Sequence, residues 1–320
     1  MEKLPEMKQV REAVGRGVWR MGGLNRREFI LATAGYAAFA QGCDPRRRED
    51  VELVRFGMVS DLHYARIPRP EDSDRHYDQG VVKLHECVET MNERQVDFLI
   101  ELGDFKDECP TKEETLACLD EIETEFSRFK GPRYHVLGNH ENDCLTKEEV
   151  LAHVSNFGQE QAKSYYSFER GGVTFVVLDA NFNSRMEPYA PGNWDWTDAN
   201  VPPEELAWME RTLAAARGPV IVFAHQRIDP AAERLHLVKN AAAVRGILER
   251  SGKVAAVLTG HQHWGGQVTL NGIFYYTLRA LVVGAAPEHN SYAEVSFYGS
   301  GKILVRGFRQ AETAVGGKGA

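Results

Sequence analysis

Five short polar segments, each set just past an apolar run, constrain this chain more than anything else in it. They read Asp61-Leu62-His63, Gly103-Asp104-Phe105-Lys106-Asp107, Gly138-Asn139-His140-Glu141, His225 and Gly260-His261-Gln262-His263. The runs before them, 53–59, 96–102, 133–137, 220–223 and 254–258, are short and rich in β-branched and aromatic residues, as buried strands are. Amphipathic stretches at 78–94, 111–128, 203–216 and 238–250 lie between several of them and read as helices. Alternating strands and helices make an α/β architecture, whose ligands bind outside the carboxyl ends of the strands. Every polar segment falls at such an end. Side chains spread over about 200 residues therefore converge on one site, which favours one catalytic domain.

The residue types say what that site holds. As candidate ligands the segments supply two Asp (Asp61, Asp104), one Asn (Asn139) and four His (His63, His225, His261, His263), enough for two divalent ions side by side. Imidazole suits Zn, Mn and Fe, while carboxylate and amide oxygens suit harder ions, so the mixed shell points to Mn, Fe, Zn or a mixed pair. No cysteine falls among the candidates, which argues against a structural zinc knot. Two ions about 3.5–4 Å apart clamp the attacking and leaving oxygens of an in-line displacement and acidify bound water. Phosphoryl groups are the natural substrates of such a pair.

At these residues the chain resembles the calcineurin-like metallophosphoesterases, whose blocks are D-x-H, G-D-x-x-D, G-N-H-[DE], H and G-H-x-H. All five stand in order over residues 55–263. The resemblance implies a four-layer α/β/β/α sandwich of two mixed sheets with flanking helices. It implies one ion on Asp61, His63, Asp104 and His263, and a second on Asp104, Asn139, His225 and His261, with Asp104 bridging. It places His140 over the phosphate as charge stabiliser or proton donor, held by Asp107. The implied reaction hydrolyses a small phosphate ester, diester or pyrophosphate through hydroxide generated at the metal pair. Iron-based purple acid phosphatases carry a tyrosine ligand in or near the second block, where this chain has Asp107, so a coloured ferric enzyme is disfavoured.

A finer resemblance is to the manganese-dependent ADP-ribose/CDP-alcohol diphosphatases. It rests on Tyr165-Tyr166-Ser167-Phe168, the run 175–179, Leu206-Ala207-Trp208, His263-Trp264-Gly265-Gly266 and the stretch 276–309. Gln226, where an apolar residue is commoner, and the export-type leader depart from that group. The alternatives are an exported general phosphomonoesterase and a non-catalytic metal-binding scaffold on the same fold.

Residues 1–42 read as an address. Asn25-Arg26-Arg27-Glu28-Phe29-Ile30 precedes a short Ala-rich apolar run, the twin-arginine export pattern, and that run is too short to span a bilayer. Ala38-Phe39-Ala40 suits a signal peptidase, and Ala40-Gln41-Gly42-Cys43 is a degenerate lipobox that offers a lipid anchor at Cys43. The expectation is a periplasmic or extracytoplasmic protein handled by the twin-arginine machinery, or a cytoplasmic one if the leader does not function. Residues 43–51 read as a linker, 52–310 as the domain, and the Gly/Ala-rich 311–320 as a flexible tail. Beyond the leader, 31 basic groups face 42 acidic ones. That balance does not suit a nucleic-acid polymer, which requires phosphate neutralisation, but it admits a small phosphorylated substrate.

Residues 184–203 have four Pro, Tyr189, Trp194 and Trp196 and no periodicity, which suggests a lid whose aromatics stack on a base or sugar. Arg75 and His76 are further candidates for substrate contact. If Asp107 supports His140, their loops are adjacent, and a Cys109–Cys144 bridge becomes reasonable in an oxidising compartment; unpaired thiols are the alternative. Cys87 and Cys118 read as core residues, His135 as a packed histidine, and His85, His153, His236 and His289 as surface or structural. Asn271-Gly272 and Gly171-Gly172 are turn signals.

Overall fold

Strands whose two faces are both covered carry continuous apolar runs rather than alternating ones, and the computed structural model shows that arrangement. It describes residues 50–160 and 163–317; the leader, Cys43 and the linker to residue 49 lie outside the described residues. In chain order the elements are β1 (Glu52–Val59), α1 (Gly80–Arg94), β2 (Leu99–Glu101), α2 (Lys112–Phe126), β3 (Arg133–His135) and α3 (Lys147–His153). Then come β4 (Tyr166–Arg170), β5 (Val173–Val177), α4 (Pro203–Ala215), β6 (Val220–Phe223), α5 (Ala241–Ser251) and β7 (Val254–Thr259). The last are β8 (Gly266–Leu270), β9 (Ile273–Thr277), β10 (Ser291–Tyr298), β11 (Lys302–Arg309) and β12 (Ala314–Gly317).

One sheet runs β12-β11-β10-β1-β2-β3, and the other β4-β5-β6-β7-β9-β8. Strands β1, β2 and β3 are parallel, as are β5, β6, β7 and β9, while the outer strands add antiparallel. Both sheets are therefore mixed. A central core takes Phe56, Phe98 and Ile100 from the first sheet and Phe175, Phe223 and Tyr276 from the second. The Phe56 ring meets Phe175 and Phe223 edge-on at centroid distances of 5.6 and 5.7 Å. Burying each such ring stabilises by roughly 1.5–3 kcal/mol. Leu84, Val88, Leu119 and Ile122 of α1 and α2 cover the outer face of the first sheet, and Met209, Leu213, Val244 and Leu248 of α4 and α5 cover that of the second. The result is the expected four-layer α/β/β/α sandwich.

Local chemistry sets the element ends. Thr111 with Glu114 and Thr146 with Glu149 form capping boxes that start α2 and α3. Asn271 and Gly272, at φ 51° and 80°, turn β8 into β9 as a two-residue hairpin loop requires.

Three expectations change. The tail is not free from residue 311: β12 pairs with β11 from Val305–Ala314 to Lys302–Gly317, and the Phe274 ring packs against Gly316. Small residues that look frayed in sequence here let an edge strand approach an aromatic. Second, the cysteines from 87 onward are free thiols. Cys109 Sγ lies 3.5 Å from Cys118 Sγ, not paired with Cys144, whose thiol approaches Thr115 Oγ1. Third, β2 and β3 are only three residues long: β2 starts later than its apolar run does, and β3 ends before its run does.

Candidate metal centre and cleft

The loops after β1, β2, β3, β6 and β7 all open at one end of the sandwich. Cross-loop backbone bonds clamp them: Asp61 N donates to Gly103 O at 3.0 Å, His63 N to Asp104 O at 2.8 Å, and Gly260 N to His225 O at 3.0 Å. Asp61, His63, Asp104 and His261 adopt left-handed backbone, at φ 54°, 45°, 55° and 67°. Such conformations cost an L-residue on the order of 1 kcal/mol and persist where surrounding structure dictates them. Two motif glycines are fixed by close approach. A Cβ at Gly260 would strike Ser60 Oγ, and one at Gly138 would strike the Asp104 backbone nitrogen.

These loops gather six of the seven predicted ligands into two clusters. Asp61, His63 and His263 form one, and Asp104, His225 and His261 the other, each with its donor atoms within 4.8 Å of one another. Asp104 Oδ2 stands 3.0 Å from His225 Nε2 and 3.5 Å from His63 Nε2, so one carboxylate oxygen faces both clusters. His63 Nε2 and His263 Nε2 face each other at 3.1 Å. The other ring nitrogens are committed elsewhere: His63 Nδ1 donates to Asp107 Oδ2 at 3.0 Å, and His225 Nδ1 to Leu102 O at 2.8 Å. That leaves Nε2 of each ring facing the clusters, the arrangement found in metal-ligating histidines. Asn139 Oδ1, His225 Nε2 and His261 Nε2 are buried without a hydrogen-bond partner. Buried polar groups are normally paired, so orphaned donors facing shared carboxylates fit a pair of divalent cations.

Burial drives the Asp104 carboxyl up, but the His225, His140 and His63 imidazoles outweigh it and hold the group well below the usual range. Burial opposes charge on His225, yet Asp104 and Asp61 push it up to about 10. Burial, reinforced by His225 for His261 and by His63 for His263, holds these two well below the ordinary histidine value. Both are therefore neutral donors at pH 7.

Residues without a sequence-assigned role complete the frame. Glu141, fully enclosed, accepts backbone N–H from Gly138 (2.6 Å), Phe105 (2.7 Å) and Asp104 (3.0 Å), tying the second block to the third. The acid that closes G-N-H-[DE] was the available signal. Gln226 donates to Asn181 Oδ1 at 2.7 Å, and Asn181 donates to Leu137 O at 2.8 Å. The polar departure after His225 thus stitches the fourth block to the segment after β5 and the loop after β3.

Above the clusters opens a cleft of about 470 Å³ whose walls include Arg75, His140, Trp194, Trp196, His236 and Trp264. Trp194 lies 5.3 Å from the His140 ring, while Trp196 and Trp264 lie 5.4 and 5.2 Å from His236. His236, expected as surface or structural, is thus a wall residue; its neighbours are far away in sequence. His76 does not line the cleft: its backbone N–H donates to Val282 O at 2.9 Å, and only Arg75 is among the lining groups. Tyr189 is also not a wall residue, being buried with its hydroxyl on Asp195 O at 2.6 Å. Asp107 reaches both His63 and His140, the latter at 3.4 Å. His135 packs between Glu101 and Glu123, as expected of a core histidine.

With this geometry in place, comparison with known proteins is informative. Residues 54–265 match the calcineurin-like phosphoesterase family model. Manganese-dependent ADP-ribose/CDP-alcohol diphosphatases of Oryza sativa subsp. japonica and Arabidopsis thaliana are each 27% identical over 82% of this chain, covering 93% and 96% of their own lengths. A dimetal phosphatase from Danio rerio shares the fold, with a TM-score of 0.73 at 20% identity over 83% of this chain and 99% of its own. The yellow lupin purple acid phosphatase PPD1 is more distant, at a TM-score of 0.57 and 13% identity over 82% of this chain and 52% of its own. The family match spans the strands, the loops and all five ligand segments, and this chain belongs to the calcineurin-like phosphoesterases.

Proposed function

We propose that this phosphoesterase hydrolyses a pyrophosphate-linked nucleotide such as ADP-ribose, using two divalent cations. The single observation that carries the reading is Asp104, whose one carboxylate oxygen faces both ligand clusters at hydrogen-bonding range. Asp61, His63, Asp104 and His263 would hold one ion, and Asp104, Asn139, His225 and His261 the other. Bound cations supply Lewis acidity toward phosphoryl oxygens and lower the pKa of water.

The chain's own groups do the rest. His140, at the edge of the clusters, is placed to donate a hydrogen bond to a phosphoryl oxygen and a proton to the leaving oxygen. Arg75 adds positive charge to the cleft wall. Trp194 beside His140, and Trp196 with Trp264 beside His236, offer flat apolar faces to a base or sugar and exclude water. Two aromatic walls flanking the clusters suit a substrate with a group on each side of its phosphates, and the named activity of the two plant relatives supports the same choice. The twin-arginine pattern supports export of the folded chain.

The test compares kcat/KM of Mn-loaded protein on ADP-ribose and on p-nitrophenyl phosphate. We expect ADP-ribose to be preferred at least ~10-fold, as base stacking against aromatic rings provides, with AMP as a product. A preference for the monoester would replace this reading with that of a general phosphomonoesterase.

A further inference from the structure

The proton-donating role proposed for His140 needs its Nδ1 held from behind, and two carboxylates stand there. Nδ1 lies 3.4 Å from Asp107 Oδ1 and 3.4 Å from Asp143 Oδ2. The two acids are not equivalent. Both Asp107 oxygens are already engaged, Oδ2 by His63 Nδ1 at 3.0 Å and Oδ1 by the Glu108 backbone N–H at 2.8 Å. Asp143 Oδ1 accepts from Lys106 Nζ and from the Cys144 backbone N–H. Asp143 Oδ2, however, is buried with no hydrogen-bond partner, and so is His140 Nδ1.

We propose that Asp143 is a second positioning residue for His140, acting beside Asp107, which also orients His63. A buried donor and a buried acceptor, each otherwise unmatched, satisfy one another, because leaving both unpaired is costly. The local backbone provides the encounter. His140–Asn142 is a 3-10 turn, in which side chains three apart eclipse. Lys106, fully buried inside the second block, compensates the Asp143 charge that would otherwise be unpaired. With Nδ1–H fixed on Asp143, Nε2 is the nitrogen left to serve the cleft. The second and third blocks thus share a buried Lys106–Asp143–His140 chain beside the Asp107–His63 contact.

This inference rests on the reading of His140 as proton donor, and the test separates the two. Substrates are the phenyl and 4-nitrophenyl esters of thymidine 5′-phosphate, since phenolate requires a proton on leaving far more than 4-nitrophenolate does. Wild-type turnover of both, with strong loss in His140→Ala for the phenyl ester, tests the role of His140 itself. The positioning claim is tested in Asp143→Asn and in the charge-balanced double variant Lys106→Met/Asp143→Leu, which leaves no lone buried ion.

We expect kcat for the phenyl ester to fall at least ~10-fold more than for the 4-nitrophenyl ester, a fraction of what general acid catalysis contributes, with KM unchanged. Equal losses on the two esters, or no loss, would overturn the proposal. A second readout needs no turnover: in metal-free protein with ¹⁵N-labelled histidine, the His140 Nδ1–H signal should shift or vanish in the double variant. An unchanged signal would equally overturn it.

Discussion

The two ends of the double sheet make an instructive pair. Each opens into a hollow of similar size, about 470 Å³ at the ligand end and about 400 Å³ at the other, where Gly218, Gly252, Gly272 and Gly301 lie in the turns. Both ends need left-handed backbone. At the far end glycines supply most of it, with Gly252, Gly272 and Gly301 at φ 63°, 80° and 90°, beside Asn271 at 51°. At the ligand end Asp61, His63, Asp104 and His261 do so, although glycine would be cheaper. Left-handed backbone in four residues that carry donors, against turns borne mainly by glycine and asparagine, marks the first hollow as the candidate site. Volume alone does not separate them.

Four substitutions would break or sharpen that contrast. The largest effect belongs to Asp104→Asn, which removes the charge shared by both clusters. We expect kcat/KM to fall about a thousandfold, a loss of ~4 kcal/mol in transition-state stabilisation. Metal content measured on the same preparation should fall with it, and near wild-type activity would undo the assignment of the ligand end. Next comes the cleft wall. Trp196→Ala should raise KM for ADP-ribose about tenfold with kcat nearly unchanged, as expected for stacking that binds ground and transition states alike. His76→Ala, just off the wall, should change neither parameter, and equal effects of the two would dissolve the distinction between lining and flanking residues. The smallest effect lies at the hairpin. A Cβ at Gly272 meets no atom within 4 Å, so Gly272→Ala incurs only its backbone cost. It should lower stability by about 1 kcal/mol, a few degrees in Tm, and leave activity untouched. A large loss of turnover there would show that the two ends are coupled.

Legibility in the sequence followed the same division. The candidate ligand set could be read because a donor just past a strand is a local pattern, and five such patterns in order leave little freedom. Helix α3 carries a local signal too, the capping box Thr146-Lys147-Glu148-Glu149 ahead of an apolar pair, but at seven residues it is too short to show a helical period. His236 was not readable. It is one histidine without ligand spacing, and Trp196, His261 and Trp264 reach it from 25 to 40 residues away. Strand β12 fails for another reason: Ala314-Val315-Gly316-Gly317 has almost no strand propensity, and β11 and Phe274 supply what it lacks.

By itself, then, the sequence determined the fold class, the family and the candidate ligand residues, because period, strand ends and donor types are all local properties. Only the tertiary structure decided which carboxylate oxygen serves which histidine and which aromatics wall the cleft. It likewise decided that Cys109 meets Cys118 and that Asp143, not Asp107 alone, stands behind His140. Those outcomes depend on contacts between loops carried by different strands, and the competition among neighbours for each oxygen is settled only when the strands are in register.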